Sequence, residues 1–181
     1  YKYMENILQS IVRLNTSCIN IDPYSPYKNE ESYQSVGTGF FISNNLVLTC
    51  AHVIEDSLKI NFTVPGKEKK NYNLKLIGAS FDEDIALLET IDYKSDNFLN
   101  ISDDKISISD NVTAIGYPLG DENIKVSSGT ISGRQDNLIQ TNVPINKGNS
   151  GGPLLNSKNN VIGINSSKIV SNDVEGISYS I

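Results

Sequence analysis

The sequence predicts an all-β sandwich or barrel, and three observations lead there. About a dozen short apolar runs recur at near-regular spacing, broken by Gly, Asn, Asp, Ser and Pro. Helical periodicity is weak throughout, and the helix–strand alternation that builds parallel sheets is missing. Apolar residues make up 38% and charged residues 20% of the 181, which is ordinary globular usage and argues against disorder over most of the chain.

Taken in order, the first-half runs lie at 10–15, 36–43, 46–52, 58–64, 74–79 and 85–90. Those of the second half lie at 112–117, 125–132, 138–142, 153–156, 161–166 and 176–181. The stretch 3–14 is compatible with an opening helical turn, and 53–57 with a single turn after a histidine. Residues 22–34 hold two Pro, three Tyr and several charges and read as a loop. Residues 92–110 are rich in Ser, Asp and Asn, divide the chain near its middle, and read as the connection between two β lobes. No tandem repeat is evident.

Composition excludes several functions. Fifteen Lys plus Arg stand against 21 Asp plus Glu, a formal net charge of −6. Phosphate neutralisation needs clustered cations, so nucleic acid is not an expected partner. The densest basic run, Lys67-Glu68-Lys69-Lys70, reads as a solvated loop. No run approaches the ~18 apolar residues of a membrane span. The sequence opens without the apolar core and small-residue cleavage site of a secretory signal. Cys18 and Cys50 allow at most one disulfide and are expected as two free, partly buried thiols. Neither sits in a nucleophile motif. Few cysteines and no visible signal tilt the expectation to the cytoplasm. His52 is the single histidine. A metal site built on several His ligands is therefore excluded, and two Cys are too few for a thiolate cage. No metal or cofactor is expected. Neutral-pH acid–base chemistry through imidazole must run through His52.

Three segments carry chemistry. The strongest is Gly148-Asn149-Ser150-Gly151-Gly152-Pro153. A nucleophilic serine needs a backbone that presents its hydroxyl and sets N–H groups near a developing oxyanion. Flanking glycines permit unusual φ/ψ values and close approach, and Pro153 restricts the entry into Leu154-Leu155. The second is Leu48-Thr49-Cys50-Ala51-His52-Val53, an apolar strand ending in small residues and the histidine. Alone it would read as structural. Together with the serine segment and the upstream Gly37-Thr38-Gly39-Phe40 it reads as a base at a cleft wall. The third is Asp84-Ile85-Ala86-Leu87-Leu88, an acid opening an apolar strand. A solvated strand-start Asp is the simpler account of it by itself, and Asp82 and Glu83 compete. Asp84 is preferred because it abuts the apolar run, where a shielded carboxylate could hold an imidazole N–H.

With these segments in hand, the chain resembles the chymotrypsin/trypsin clan of serine proteases and, within it, the HtrA/Deg branch. The order His52, Asp84, Ser150 is that of chymotrypsin and not of subtilisin or the α/β-hydrolases. The pieces GTGFFI, VLTCAHVI, DIALL, IQTNVPINKGNSGGPLLN, VIGIN and EGISYSI occur in the branch's order from about Gly37 to the last residue. The resemblance implies a double six-stranded antiparallel β-barrel with the active site between the barrels. The N-terminal barrel would span about 7–95, the linker about 96–110 and the C-terminal barrel about 111–181. His52 and Asp84 would come from the first barrel and Ser150 from the second. It implies an oxyanion hole at Gly148, Asn149 and Ser150, built from the backbone N–H groups of Gly148 and Ser150. Ser166 would support the aspartate. Main chain around Ser166, Ser167 and Lys168 would pair with substrate as an added strand, flanked by Asn165. Pro144, Ile145 and Ile164 would shape the specificity pocket.

Two departures set further expectations. Secreted relatives carry Asp before the nucleophile to receive a new N-terminus. Asn149 stands here, so no activation salt bridge is expected. Residues 142–146 hold no acid, so small or medium aliphatic side chains are expected at the cleaved residue. The expected partners are polypeptide substrates. HtrA proteins usually continue into PDZ domains, and this chain stops in the family's last strand, which leaves room for an additional domain or an oligomer. Two alternatives stay open: an inactive peptide-binding scaffold with the same fold, and a processing protease with a single substrate.

Overall fold

A computed structural model describes residues 2–20, 31–54, 57–63, 72–82, 84–102, 104–117, 124–135, 138–143, 150–166 and 177–179. Strands β1 (Ile11–Asn20), β2 (Glu31–Phe41), β3 (Leu46–Thr49), β4 (Ser57–Thr63), β5 (Tyr72–Ser80) and β6 (Ile85–Thr90) close into one barrel, in the order β1-β2-β3-β6-β5-β4. Strands β7 (Asn111–Gly116), β8 (Lys125–Gln135), β9 (Leu138–Thr141), β10 (Pro153–Leu155), β11 (Val161–Asn165) and β12 (Ile177–Tyr179) close the second, in the order β10-β11-β12-β9-β8-β7. Every ladder is antiparallel, and closure comes from β1 pairing with β4 and β7 with β10. Closing a sheet removes its edges but forces the strands to coil. Register shifts at Leu76/Gly78 in β5 and Ile131/Gly133 in β8 supply the local bends.

Pleat alternation sets which side chains go inside. Along β6, Ala86, Leu88 and Thr90 are buried while Ile85, Leu87 and Glu89 are partly exposed. The first barrel closes over Ile11, Leu14, Phe40, Phe41, Phe62 and Leu88, all without solvent contact. Each such side chain contributes about 1.5–3 kcal/mol relative to exposure. Phe41 meets Phe62 edge-on with ring centroids 5.8 Å apart, and Tyr72 and Tyr93 extend the cluster. The second barrel's own cluster is aliphatic: Val112, Ala114, Ile131, Ile139, Val143, Leu154 and Ile162. Ile115, Tyr117, Leu155, Val161 and Ile164 pack instead with the first barrel's core. That double duty explains why β11 is buried at all five positions.

Three local expectations need correction. The opening turn is a helix, α1 (Lys2–Gln9), and the strand after it runs through Asn20. The polar segment read as a loop gives up residues 31–34 to β2, which pairs with β1 out to Asn20↔Glu31. A ladder needs only backbone partners, so polar composition does not end it. His52 does not close a strand: β3 stops at Thr49, and His52 lies in the short helix α2 (Ala51–Ile54). Between the barrels, the described residues 91–102 and 104–110 are irregular apart from the bridge Ile101↔Val161.

Candidate active site

Strand register brings His52 and Asp84 together. β3 pairs with β6 so that Thr49 lies opposite Ala86. His52 follows Thr49 by three residues and Asp84 precedes Ala86 by two, so both leave the same end of the ladder. Asp84 adopts φ 57°, a left-handed conformation that Asp tolerates better than most residues. Its carboxylate is 3% exposed and accepts three hydrogen bonds. The His52 N–H donates to Oδ1 at 2.8 Å, His52 Nδ1 lies 2.6 Å from Oδ2, and the Ser166 hydroxyl donates to Oδ2 at 2.7 Å. Burial alone pushes the Asp84 carboxyl up. The hydrogen bonds from the His52 ring, Ser166 and the His52 N–H outweigh it and leave the group below its ordinary range. Asp84 is therefore ionised at neutral pH and can only accept. The proton between the two must sit on Nδ1, which leaves Nε2 as the imidazole's acceptor. The imidazole is 22% exposed, so solvent reaches one side of it.

Ser150 comes from the second barrel, and backbone contacts fix its turn. The Thr38 N–H on β2 donates to the Ser150 carbonyl at 3.0 Å. The Gly151 N–H donates to the Asn165 carbonyl at 2.8 Å, and the Asn165 N–H returns to the Gly152 carbonyl at 2.9 Å. Gly151 holds φ +89°, and a Cβ there would collide with the Thr38 carbonyl and the Thr49 hydroxyl. Glycine is required for both reasons. Ser150 itself is buried. The turn is thus tied to Asn165, whose neighbour Ser166 holds Asp84, and to Thr38, whose carbonyl accepts from the Thr49 hydroxyl at 2.8 Å. Two bonds of this circuit, Thr38 to Ser150 and Ser166 to Asp84, cross the junction of the two barrels.

Thr38 is a hub that sequence reasoning did not single out. Besides its N–H bond to Ser150, its hydroxyl accepts from the Tyr117 N–H at 3.0 Å, a second tie that Thr38 makes between the barrels. The available signal was a β-branched hydroxyl residue between Gly37 and Gly39, which lets the strand approach other backbone closely. Cys50, expected as a free, partly buried thiol, lies deeper than that. Its side chain is fully buried and donates to the Asn165 carbonyl at 3.0 Å. Burial, and then the Asp84 charge, push this thiol well above its ordinary range, so it stays protonated. It is a free cysteine. Ile164 lies in the core shared by the barrels, and the Asn165 amide turns onto the Pro153 carbonyl at 3.3 Å. Gly148, Asn149, Pro144, Ile145 and Ser167 lie outside the described residues. No helix among the described residues is long and apolar enough to cross a membrane.

Two closed six-stranded antiparallel barrels in one chain define a trypsin-like double barrel. Residues 37–164 match the trypsin-like peptidase domain family. The chain is similar to a protein named Probable periplasmic serine endoprotease DegP-like from Ectopseudomonas mendocina, at 37% identity over 88% of this chain and 35% of that protein. It is also similar to Serine protease Do-like HtrA of Bacillus subtilis, at 37% identity over 80% of this chain and 34% of that protein. Protease Do-like 2, chloroplastic, of Arabidopsis thaliana is 30% identical over 97% of this chain and 31% of its own length. The chain belongs to the trypsin-like peptidase family, and the resemblance read from its motifs is borne out. It spans about a third of the length of the curated relatives it matches.

Proposed function

We propose that the chain is a serine endopeptidase that cleaves polypeptides through an acyl-enzyme on Ser150. The observation that carries this reading is the buried hydrogen-bonded series Ser166–Asp84–His52, in which an ionised carboxylate fixes the imidazole tautomer. Ser150 Oγ attacks the peptide carbonyl while His52 Nε2 takes its proton. His52 then donates that proton to the leaving amine, and water repeats the sequence to release the acyl group. Asp84 keeps the proton on Nδ1 and stabilises the imidazolium. The Gly148 and Ser150 N–H groups, on either side of Asn149, receive the oxyanion, each worth about 3 kcal/mol in the transition state. Asn149 in place of an acid favours an enzyme that needs no freed N-terminus. The absence of an acid in residues 142–146 favours cleavage after small or medium aliphatic residues, with substrate added as a strand along Ser166–Lys168.

A fluorophosphonate probe tests the reading directly, because it reacts only with an activated serine. The parent chain should label at Ser150 and cleave casein, and Ser150→Ala should do neither while unfolding at the same denaturant midpoint. A parent that folds and does not label is the inert scaffold instead. A peptide library read by mass spectrometry then checks specificity, and efficient cleavage after Arg or Lys would overturn the aliphatic preference.

A further inference from the structure

The lone histidine rules out a metal site built from several imidazoles, but not a mixed one. Cys50, His52 and Asp84 each offer one donor atom, and the three atoms lie within 4.8 Å of one another. Soft thiolate, imidazole and carboxylate are the three ligand types that zinc takes from proteins. Zn–S of about 2.3 Å and Zn–N of about 2.0 Å put tetrahedral ligands roughly 3.5 Å apart, so the His52 Nδ1–Asp84 Oδ2 pair, now 2.6 Å apart, opens to admit the ion while the Cys50 sulfur is within 4.8 Å of both. Ser166, hydrogen-bonded to Asp84 Oδ2, already orients the carboxylate. The imidazole is the partly exposed member and gives the approach from solvent.

We propose that Cys50, His52 and Asp84 form an inhibitory site for a thiophilic divalent cation such as Zn²⁺. The cation displaces the proton that His52 Nδ1 shares with Asp84, and that proton moves to Nε2. The Cys50 thiol gives its proton to solvent and binds as thiolate, because a dication reverses the effects of burial and of the Asp84 charge that hold the thiol neutral. One proton is released per metal bound, and no electrons move. A metallated imidazole carries N–H at Nε2 and cannot take a proton from Ser150, so the base is disabled. The inhibition rests on the peptidase reading above, whereas the binding does not.

The test separates the two. Co²⁺ is titrated into the Ser150→Ala chain, where no turnover is needed, and thiolate-to-cobalt charge-transfer absorption is read in the near ultraviolet. The band should appear, persist with Cys18→Ser, and vanish with Cys50→Ser or, should that variant not fold, Cys50→Ala. No band, or a band that follows Cys18, overturns the site. In the catalytic assay Zn²⁺ should inhibit the parent, and chelation with EDTA should restore it. The Cys50 variant, scored against its own metal-free rate, should be about ten-fold or more less sensitive. Equal sensitivity would mean that His52 binds zinc without Cys50, and the proposal fails.

Discussion

The first barrel is packed around rings and the second around aliphatic side chains. Phe41, Phe62, Tyr72 and Tyr93 touch one another in the first, whereas Val112, Ile131, Ile139, Leu154 and Ile162 make the second's own cluster. The difference follows what each barrel positions. His52 and Asp84 both come from the first and need a relation fixed within a hydrogen-bond length. The β3–β6 register and a large interlocked core supply it. Ser150 comes from the second, on a turn held by main-chain hydrogen bonds to Thr38 and Asn165 through its neighbour Gly151. One side of the site is set by packing and the other by backbone bonding, and substitutions should separate the two.

The largest effect is expected at Asp84. Asn tolerates the left-handed conformation as Asp does, so Asp84→Asn tests chemistry without adding backbone strain. It offers Nδ1 a donor or a weak acceptor and favours the wrong tautomer, and kcat should fall by about 10⁴. The same variant reads out stability. The Asp84 pKa is lowered in the folded state, so its contribution is present above the ordinary carboxyl range near ~4 and is lost as pH falls through the depressed value. Unfolding midpoints followed from neutral pH downward should drop more steeply in the parent than in Asp84→Asn. Parallel acid limbs would mean that the carboxylate is no better held in the fold than in the unfolded chain.

The next effect contrasts the cores. Phe62 has no solvent contact and meets two other rings beside Phe41, so Phe62→Ala should cost about 3–5 kcal/mol. Ile139 is equally buried among aliphatic neighbours, and Ile139→Val should cost about 0.5–1.5 kcal/mol. Urea titrations at constant m-value measure both. The informative quantity is residual kcat/KM under folding conditions. It should fall in Phe62→Ala, whose core supports the His52–Asp84 pair, and hold in Ile139→Val. The reverse order would dissolve the division between the barrels.

The all-β fold was legible because twelve apolar runs, broken by turn residues, carry their own periodicity. The site was legible where side-chain chemistry is rare, as with one histidine in the whole chain and a serine bracketed by glycines. It was illegible where backbone does the positioning. Nothing in the polar string 31–34 shows that it extends a ladder, since main-chain bonding is indifferent to side-chain polarity. The helix at Ala51–Ile54 is a single turn, too short for a period to declare itself. Cys50 was legible only as a partly buried thiol, because its nearness to Asp84 and Asn165 depends on contacts between segments far apart in sequence. Thr38 was passed over for the same reason.

Thr38 gives the finest test of the backbone side of the site. Thr38→Val keeps the β-branched shape and the main-chain bonds to Ser150 and Thr49, and removes the hydroxyl that accepts from the Tyr117 N–H. Losing that buried hydrogen bond should cost about 1–3 kcal/mol, and Thr38→Ser, which restores a hydroxyl, should recover most of it. If the bond serves only stability, fluorophosphonate labelling of folded Thr38→Val should run at the parent rate. If it also holds the Ser150 turn against the first barrel, labelling should slow in Thr38→Val and recover in Thr38→Ser. The second outcome is expected, because one strand residue bonds both Ser150 and Tyr117 and cannot shift at one without shifting at the other. Unchanged labelling in a destabilised Thr38→Val chain would place the control of Ser150 on the Gly151–Asn165 pair alone.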